Sequence, residues 1–486
     1  MRRMLWWLYN HFTTVVLLFN LLLAAAVIFL ERRNVGVTWA WLMVLLFIPV
    51  IGFILYLVFG QNLSKVKLYK ISRETSLVIK AIIEGQRRAY LHNDIQFHDP
   101  AMVPYSNLIY MNLSSGFALY TQDNEVEIYT DGHDKFDALI RDIASAKLHI
   151  HLMYYIVKDD EIGRRLMSAL VERAKAGVEV RFLYDHIGSS RLRGAYFSDL
   201  IQAGGHAASF FPSKIPYLNF RVNYRNHRKL AIIDGAVGYI GGFNIGDEYL
   251  GLDKRFGYWR DTHLRLRGSS VLQMQAQFLL DWNLASVTAI PENPGYFPVV
   301  ESEGQVGVQI VSSGPNNTAE QIKNAYIKMI HSAKEYIYIQ TPYFIPDESV
   351  LTAIRLAALS GVEVILMLPA VPDHKMVYWA SYSYLGDVLD AGGRCMLYTK
   401  GFLHAKTIVV DGKIASVGTA NVDIRSFKLN FEANAIVYDS GAAGQLKAIF
   451  EQDMNNCREL TPEGYAARSR LQRFRESFTR LLSPIL

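Results

Sequence analysis

Two stretches of this 486-residue chain repeat the same chemically capable side chains at the same spacing. The first reads His227-Arg228-Lys229-Leu230-Ala231-Ile232-Ile233-Asp234, then Gly241-Gly242-Phe243-Asn244. The second reads His404-Ala405-Lys406-Thr407-Ile408-Val409-Val410-Asp411, then Gly418-Thr419-Ala420-Asn421. Both fit His-x-Lys-x4-Asp-x6-Gly-x2-Asn. One short motif is weak evidence, whereas two in equivalent places of a repeat are strong. In a strand, residues two apart share a face, so each imidazole emerges beside an ammonium. The glycines permit close backbone approach, and each Asn can donate from its amide. Brought together, two lysines and two asparagines would hold a phosphoryl group while two imidazoles perform the reaction. Histidine suits this chemistry because its unperturbed pKa is about 6.5. No metal or other cofactor is required, since Lys229 and Lys406 supply the charge that magnesium would otherwise supply.

Such histidines need carboxylates to fix their tautomers. Asp261, which leads Asp261-Thr262-His263-Leu264, and Glu432, which leads Glu432-Ala433-Asn434-Ala435, are the candidates. Asp234 and Asp411 each precede a glycine, as residues ending a strand do, so a turn role and direct orientation of a histidine both stay open. His149 and His151 have tyrosines, Tyr336 and Tyr338, in the equivalent places of the other copy and are read as strand residues rather than ligands.

The elements that must position these residues come from an internal repeat. Ser145-Ala146-Lys147-Leu148-His149-Ile150-His151-Leu152 is echoed by Ser332-Ala333-Lys334-Glu335-Tyr336-Ile337-Tyr338-Ile339. An apolar-periodic helix precedes each echo, another follows, and aliphatic strands come next at Val178–Tyr184 and Val362–Leu368. Strands of that kind are covered on both faces. The chain is therefore expected to be α/β, with two lobes of mixed sheets flanked by helices, at 111–290 and 291–486. Pro291, Pro294 and Pro298 mark the boundary, and residues 61–110 read as a linker.

At 51% hydrophobic and 20% charged, the chain is a folded protein with a local apolar excess in its first sixty residues. Two apolar runs, about 13–30 and 37–59, flank a short Glu31-Arg32-Arg33-Asn34 break. The second would reach about 34 Å as one helix, enough for a hydrocarbon layer of about 30 Å. Residues 1–60 are thus expected to form a two-helix transmembrane hairpin; a cleaved signal peptide is the alternative for the first run. Arg2, Arg3, Lys65, Lys67, Lys70 and Arg73 flank the pair, which places both ends and the remainder in the cytoplasm. Cys395 and Cys457 have no partner spacing and suggest neither a disulfide framework nor a zinc site.

The paired motifs resemble those of the phospholipase D superfamily over about residues 110–486. The hairpin, with Thr38-Trp39-Ala40-Trp41-Leu42, Pro49, Gly52 and Leu55-Tyr56-Leu57-Val58-Phe59-Gly60, is similar to the membrane module of bacterial cardiolipin synthases. Gly241 to Tyr249, Trp259-Arg260-Asp261, Thr341-Pro342-Tyr343-Phe344 and Asn421 to Ser426 resemble segments of the same family. The resemblance implies a phosphatidyltransferase of the bacterial inner membrane that uses phosphatidylglycerol as donor and acceptor and makes cardiolipin. It also implies that His227 is the nucleophile and His404 the acid–base. Hydrolysis to phosphatidic acid would use the same residues and is the alternative. No nucleic acid is expected, since no basic and aromatic strip tracks a single strand. A bilobal chain needs no dimer to complete its site.

A net charge of +5 and basic clusters suit an anionic lipid substrate. Arg221, Arg225 and Arg228 crowd the first motif, as head-group contacts or as a solvated rim. The segment from Arg468 to Leu486 reads as a basic amphipathic helix, either at a membrane interface or packed by its apolar face on the second lobe.

Overall fold

A computed structural model describes residues 6, 11–30, 35–59, 68–69, 72–212, 223–291, 293–300, 302–317 and 319–483. The chain divides into two compact units, Met1–Val66 with Phe211–Tyr224, and Lys67–Phe210 with Arg225–Leu486.

The first unit holds helices Phe12–Leu30, Val35–Phe47 and Pro49–Phe59. The second apolar run is thus two helices rather than the single one its hydropathy suggests. Pro49 disfavours helical geometry at Ile48 before it, so the chain breaks there. The two pieces fold against each other: Trp41 meets Tyr56 edge-on with ring centroids 5.2 Å apart. Gly52 makes the approach possible, since a Cβ there would lie 2.4 Å from the Val44 carbonyl oxygen. Buried Asn20, the polar residue of the first run, donates to the Leu45 carbonyl at 3.1 Å. Among the described residues no helix is long and apolar enough to cross a membrane, so the expected pair of spans is not confirmed. Leu18, Leu22, Phe47 and Ile51 are nonetheless exposed. Residues 31–34 and the flanking Arg2, Arg3, Lys65, Lys67 and Lys70 lie outside the described residues.

Among the described residues of the second unit, the two repeats share one sheet of 15 strands. Its centre is the antiparallel pair Thr121–Tyr129 and Val306–Ser313, the first strand of each repeat. Outward from the first lie His263–Arg267, Val237–Gly241, Leu230–Ile233, His149–Tyr154, Glu179–Asp185 and His206–Phe210. Outward from the second, in the same order, lie Glu432–Tyr438, Ile414–Gly418, Thr407–Val410, Tyr336–Gln340, Glu363–Pro369 and Arg394–Tyr398, with Cys457–Leu460 added at the edge. Each half is mixed, antiparallel near the centre and parallel from the echo strand outward, except that the edge strand Cys457–Leu460 runs antiparallel to Arg394–Tyr398. Because parallel strands need crossovers, helices such as Gly132–Ser145 and Glu161–Lys175 cover the sheet; the first buries Phe136, Leu139 and Ile143 along one face.

Residues 100–110 do not behave as a linker. The turn Pro100–Tyr105 and helix Ser106–Gly116 bury Met102, Tyr105, Leu108 and Ile109 in the core of the second lobe, beside Tyr326 and Met329.

Candidate active site

The motif strands begin at Leu230 and Thr407, so each His and Lys lies in the extended run just before its strand rather than within it. That run is pinned by the opposite lobe. The His227 N–H donates to the Phe431 carbonyl at 2.9 Å, and the Phe431 N–H donates to the Arg225 carbonyl at 2.8 Å. Likewise the His404 N–H donates to the Arg260 carbonyl at 2.7 Å, continuing a short parallel pairing of Gly401–Leu403 with Tyr258–Arg260.

Since Phe431 and Arg260 each precede a carboxylate, the pinning sets each acid against the other lobe's histidine. Nδ1 of His227 lies 3.0 Å from both carboxylate oxygens of Glu432. Nδ1 of His404 lies 2.6 Å from Asp261 Oδ2. A carboxylate there fixes the proton on Nδ1 and leaves the Nε2 lone pair for chemistry. Both sequence-predicted orienting residues are thus at the site, crossed between lobes.

The carboxylates are themselves held. Glu432 accepts from the Thr419 hydroxyl at 2.5 Å and from Asn430 Nδ2 at 3.1 Å. Asp261 accepts from the Thr262 N–H at 2.8 Å. Gly242 is required here, because a Cβ would fall 1.9 Å from Asp261 Oδ1. The first lobe therefore has glycine where the second has Thr419.

Lys229 Nζ donates to the His227 carbonyl at 2.6 Å and lies over the Tyr155 ring, 5.4 Å from its centroid. Lys406 Nζ donates to the His404 carbonyl and lies 2.9 Å from His404 Nδ1. Tyr155 meets His227 edge-on at 4.9 Å, and Trp259 lies 5.2 Å from the His404 ring.

Burial governs the protonation states. It drives both imidazoles down to about 4, against the opposing pull of Glu432 on His227 and of Asp261 on His404, while the lysines push further down. Burial also lowers Lys229 to about 7, with the Lys406 charge pushing it further down, and lowers Lys406 to about 8 against the upward pull of Asp261 and Glu432. For the carboxylates burial pulls upward, but His227 and Lys229 hold Glu432 below its ordinary value, as Lys406 and His404 hold Asp261. The site thus has two neutral imidazoles, two carboxylates and two lysines near their titration range.

Asn244 and Asn421 are buried in equivalent places. Asn244 Nδ2 donates to the Tyr249 hydroxyl at 3.2 Å, and Asn421 Nδ2 donates to Asp423 at 3.0 Å. The other N–H of each amide is the candidate phosphate donor.

Asp234 and Asp411, the remaining motif residues, are not brought to the histidines. Each sits at a left-handed turn, with φ of 54° and 52°. Asp234 accepts from the N–H groups of Lys147, Leu148 and His149, and Asp411 from those of Lys334, Glu335 and Tyr336, at 2.7–2.9 Å. Direct orientation of a histidine is corrected to anchoring of the echo strand.

Arg225 and Arg228 do not form a head-group rim either. Arg225 is a buried ion pair with Asp185 at 3.3 Å. Arg228 is buried against Asp281 at 2.6 Å and donates to the carbonyls of Glu432 and Ser313. Arg221 lies outside the described residues. His149 and His151 both meet Gln275 inside the first lobe.

Sequence reasoning missed the supporting roles of Tyr155, Thr419, Asn430 and Trp259. A usable signal was present for two of them. Trp259 and Asn430 stand two residues before their carboxylates, the spacing at which strand residues share a face.

The profile described as "Cardiolipin synthase, PLD-like domain" matches residues 139–259 and 326–454, and "Phospholipase_D-nuclease N-terminal" matches residues 18–61. A cardiolipin synthase of Oceanobacillus iheyensis is 52% identical over 461 residues, covering 95% of this chain and 96% of that protein. The major cardiolipin synthase ClsA of Bacillus subtilis is 53% identical over 464 residues, with the same coverage of 95% and 96%. Phosphatidylserine synthase of Haemophilus influenzae shares the fold, with a TM-score of 0.59 at 15% identity over 74% of this chain and 95% of that one. With nearly its whole length matched and both motifs meeting in one site, the chain belongs to the cardiolipin synthases of the phospholipase D superfamily, which are phosphatidyltransferases.

Proposed function

We propose that this enzyme joins two phosphatidylglycerol molecules into cardiolipin and glycerol through a phosphatidyl-His227 intermediate. In the first step the Nε2 lone pair of His227 attacks phosphorus. The bond from phosphorus to the glycerol oxygen breaks, and His404, protonated in the substrate complex, gives its Nε2 proton to that oxygen. In the second step neutral His404 takes the proton of a hydroxyl on the second phosphatidylglycerol. That oxygen attacks phosphorus, the P–N bond breaks, and His227 leaves as neutral imidazole. Splitting one displacement in two retains the phosphatidyl group for the acceptor.

The observation that carries this reading is the crossed pairing of His227 with Glu432 and His404 with Asp261, which gives each imidazole a free Nε2. The phosphodiester anion supplies the charge that raises His404 from the low value set by burial so that it can act as an acid. Lys229, Lys406, Asn244 and Asn421 hold the phosphate oxygens. The two histidines are largely buried, with side-chain exposures of 12% and 10%, which favours a lipid hydroxyl over bulk water as acceptor.

In the same reading, residues 1–60 hold the enzyme to the bacterial inner membrane with the lobes in the cytoplasm. The exposed apolar side chains of the first unit support membrane contact. Product analysis tests the function: purified enzyme in phosphatidylglycerol vesicles should yield cardiolipin and glycerol, with none from His227→Ala or His404→Ala. Phosphatidic acid without cardiolipin would make it a hydrolase instead.

A further inference from the structure

The helix Arg470–Leu481 packs the wrong way round for a soluble protein. Its polar side faces inward: Glu476 and Thr479 are buried, and Arg468 forms an ion pair with Glu476. Arg480 reaches Asp387 at 3.0 Å and Ser483 accepts from the Tyr384 hydroxyl at 3.0 Å, both on helix Lys375–Leu389. Its apolar side faces outward. Leu471, Phe474, Phe478 and Leu481 recur at helical spacing and are 57%, 67%, 54% and 78% exposed. Phe474 and Phe478 stack on each other.

At 100° per residue, Arg470 and Arg475 fall on the two borders of that stripe, and both are exposed. An apolar stripe bordered by cations fits the interface of an anionic bilayer, where the rings enter the acyl boundary and the guanidiniums meet phosphates. A second copy of the helix fits poorly, because face-to-face pairing would set arginine rows against each other. The supporting helix also leads back to the site. It starts two residues after Asp373, which accepts from the Tyr343 hydroxyl and whose charge acts on Lys406.

We propose that Arg470–Leu481 is a second membrane contact, lying in the surface of an anionic leaflet so that the second lobe meets its lipid substrates there. It rests on the reading that the substrate is a membrane phospholipid, and its first test does not depend on turnover.

Full-length enzyme carrying Phe474→Cys with Cys457→Ser is labelled with an environment-sensitive fluorophore and reconstituted in vesicles of phosphatidylcholine, with or without phosphatidylglycerol. Glu463→Cys, on an exposed site outside the helix, is the control. With phosphatidylglycerol present, the label at 474 should shift to the blue and be quenched by spin-labelled lipid; without it, and at position 463, the shift and quenching should be lost. A label at 474 that stays in water in both vesicles overturns the proposal, as does a blue shift without lipid quenching, which would mean protein covers the stripe. Sedimentation with vesicles reads membrane attachment separately, and a chain left in the supernatant overturns the membrane reading too. In a second measurement, Leu471→Ser with Phe474→Ser and Phe478→Ser should lose turnover on vesicles but keep it on dispersed short-chain phosphatidylglycerol. Equal turnover on vesicles overturns the proposal.

Discussion

Glu432, from the second repeat, lies 3.0 Å from Nδ1 of His227 in the first. The reciprocal pair joins Asp261 of the first repeat to His404 of the second at 2.6 Å. Neither lobe thus contains a complete oriented histidine. The phosphate-reactive state depends on both lobes being folded and docked, which the shared 15-stranded sheet secures.

Glu432→Gln keeps the shape of the side chain but removes the charge that holds the Nδ1 proton. By analogy with other oriented histidines, kcat should fall roughly 10²–10⁴-fold with little change in Tm. Steady-state lipid turnover and thermal melting check this together.

Gly242→Ala places a methyl group on the Asp261 carboxylate and should displace it from His404. Small misplacements of catalytic groups cost about 10²-fold, so activity should drop by that order. The loss should be in kcat, measured beside a Tm that shows the chain still folds.

Asp234→Ala and Asp411→Ala should act on stability. Each leaves three backbone N–H groups without their carboxylate. A loss of about 3 kcal/mol per site follows from the cost of unmade charged hydrogen bonds. Denaturant melts should shift, while turnover per folded molecule stays near that of the unsubstituted enzyme.

The pH profile follows from the buried site. Below about pH 5, protonation of His227, at about 4, removes the nucleophile and lowers kcat/KM. Above it, His404 is neutral in the free enzyme and must gain a proton when the anionic substrate binds. Lys229 and Lys406, at about 7 and 8, lose their charge as pH rises further. So kcat/KM should fall steadily from about pH 7 to 9 while kcat, which reports the bound complex, falls less. A kcat/KM that stays flat to pH 9 would contradict these protonation states.

Much of this was legible in the chain, for reasons that differ by residue. The two motifs and the echo strands could be read because spacing in a strand is a local property. Asp261 and Glu432 could be found by their matching positions in the repeat. Their crossing could not, because it comes from backbone bonds between segments far apart in sequence, such as His227 with Phe431. Arg228 looked like a surface cation because charge alone does not reveal its partner, Asp281, on a distant helix. The second apolar run read as one span because hydropathy ignores the break that Pro49 makes at Ile48. The linker reading failed because Met102, Tyr105, Leu108 and Ile109 find their core in a lobe that begins nearly 200 residues later.

The central claim, that His227 attacks and His404 manages the proton, is tested most directly with a phosphatidyl ester whose phenolate leaving group departs without a proton. Rapid-quench trapping should show the covalent phosphatidyl-enzyme in His404→Ala, which cannot pass it to an acceptor, and none in His227→Ala. A covalent adduct that forms in His227→Ala and disappears in His404→Ala would reverse the roles and contradict the account.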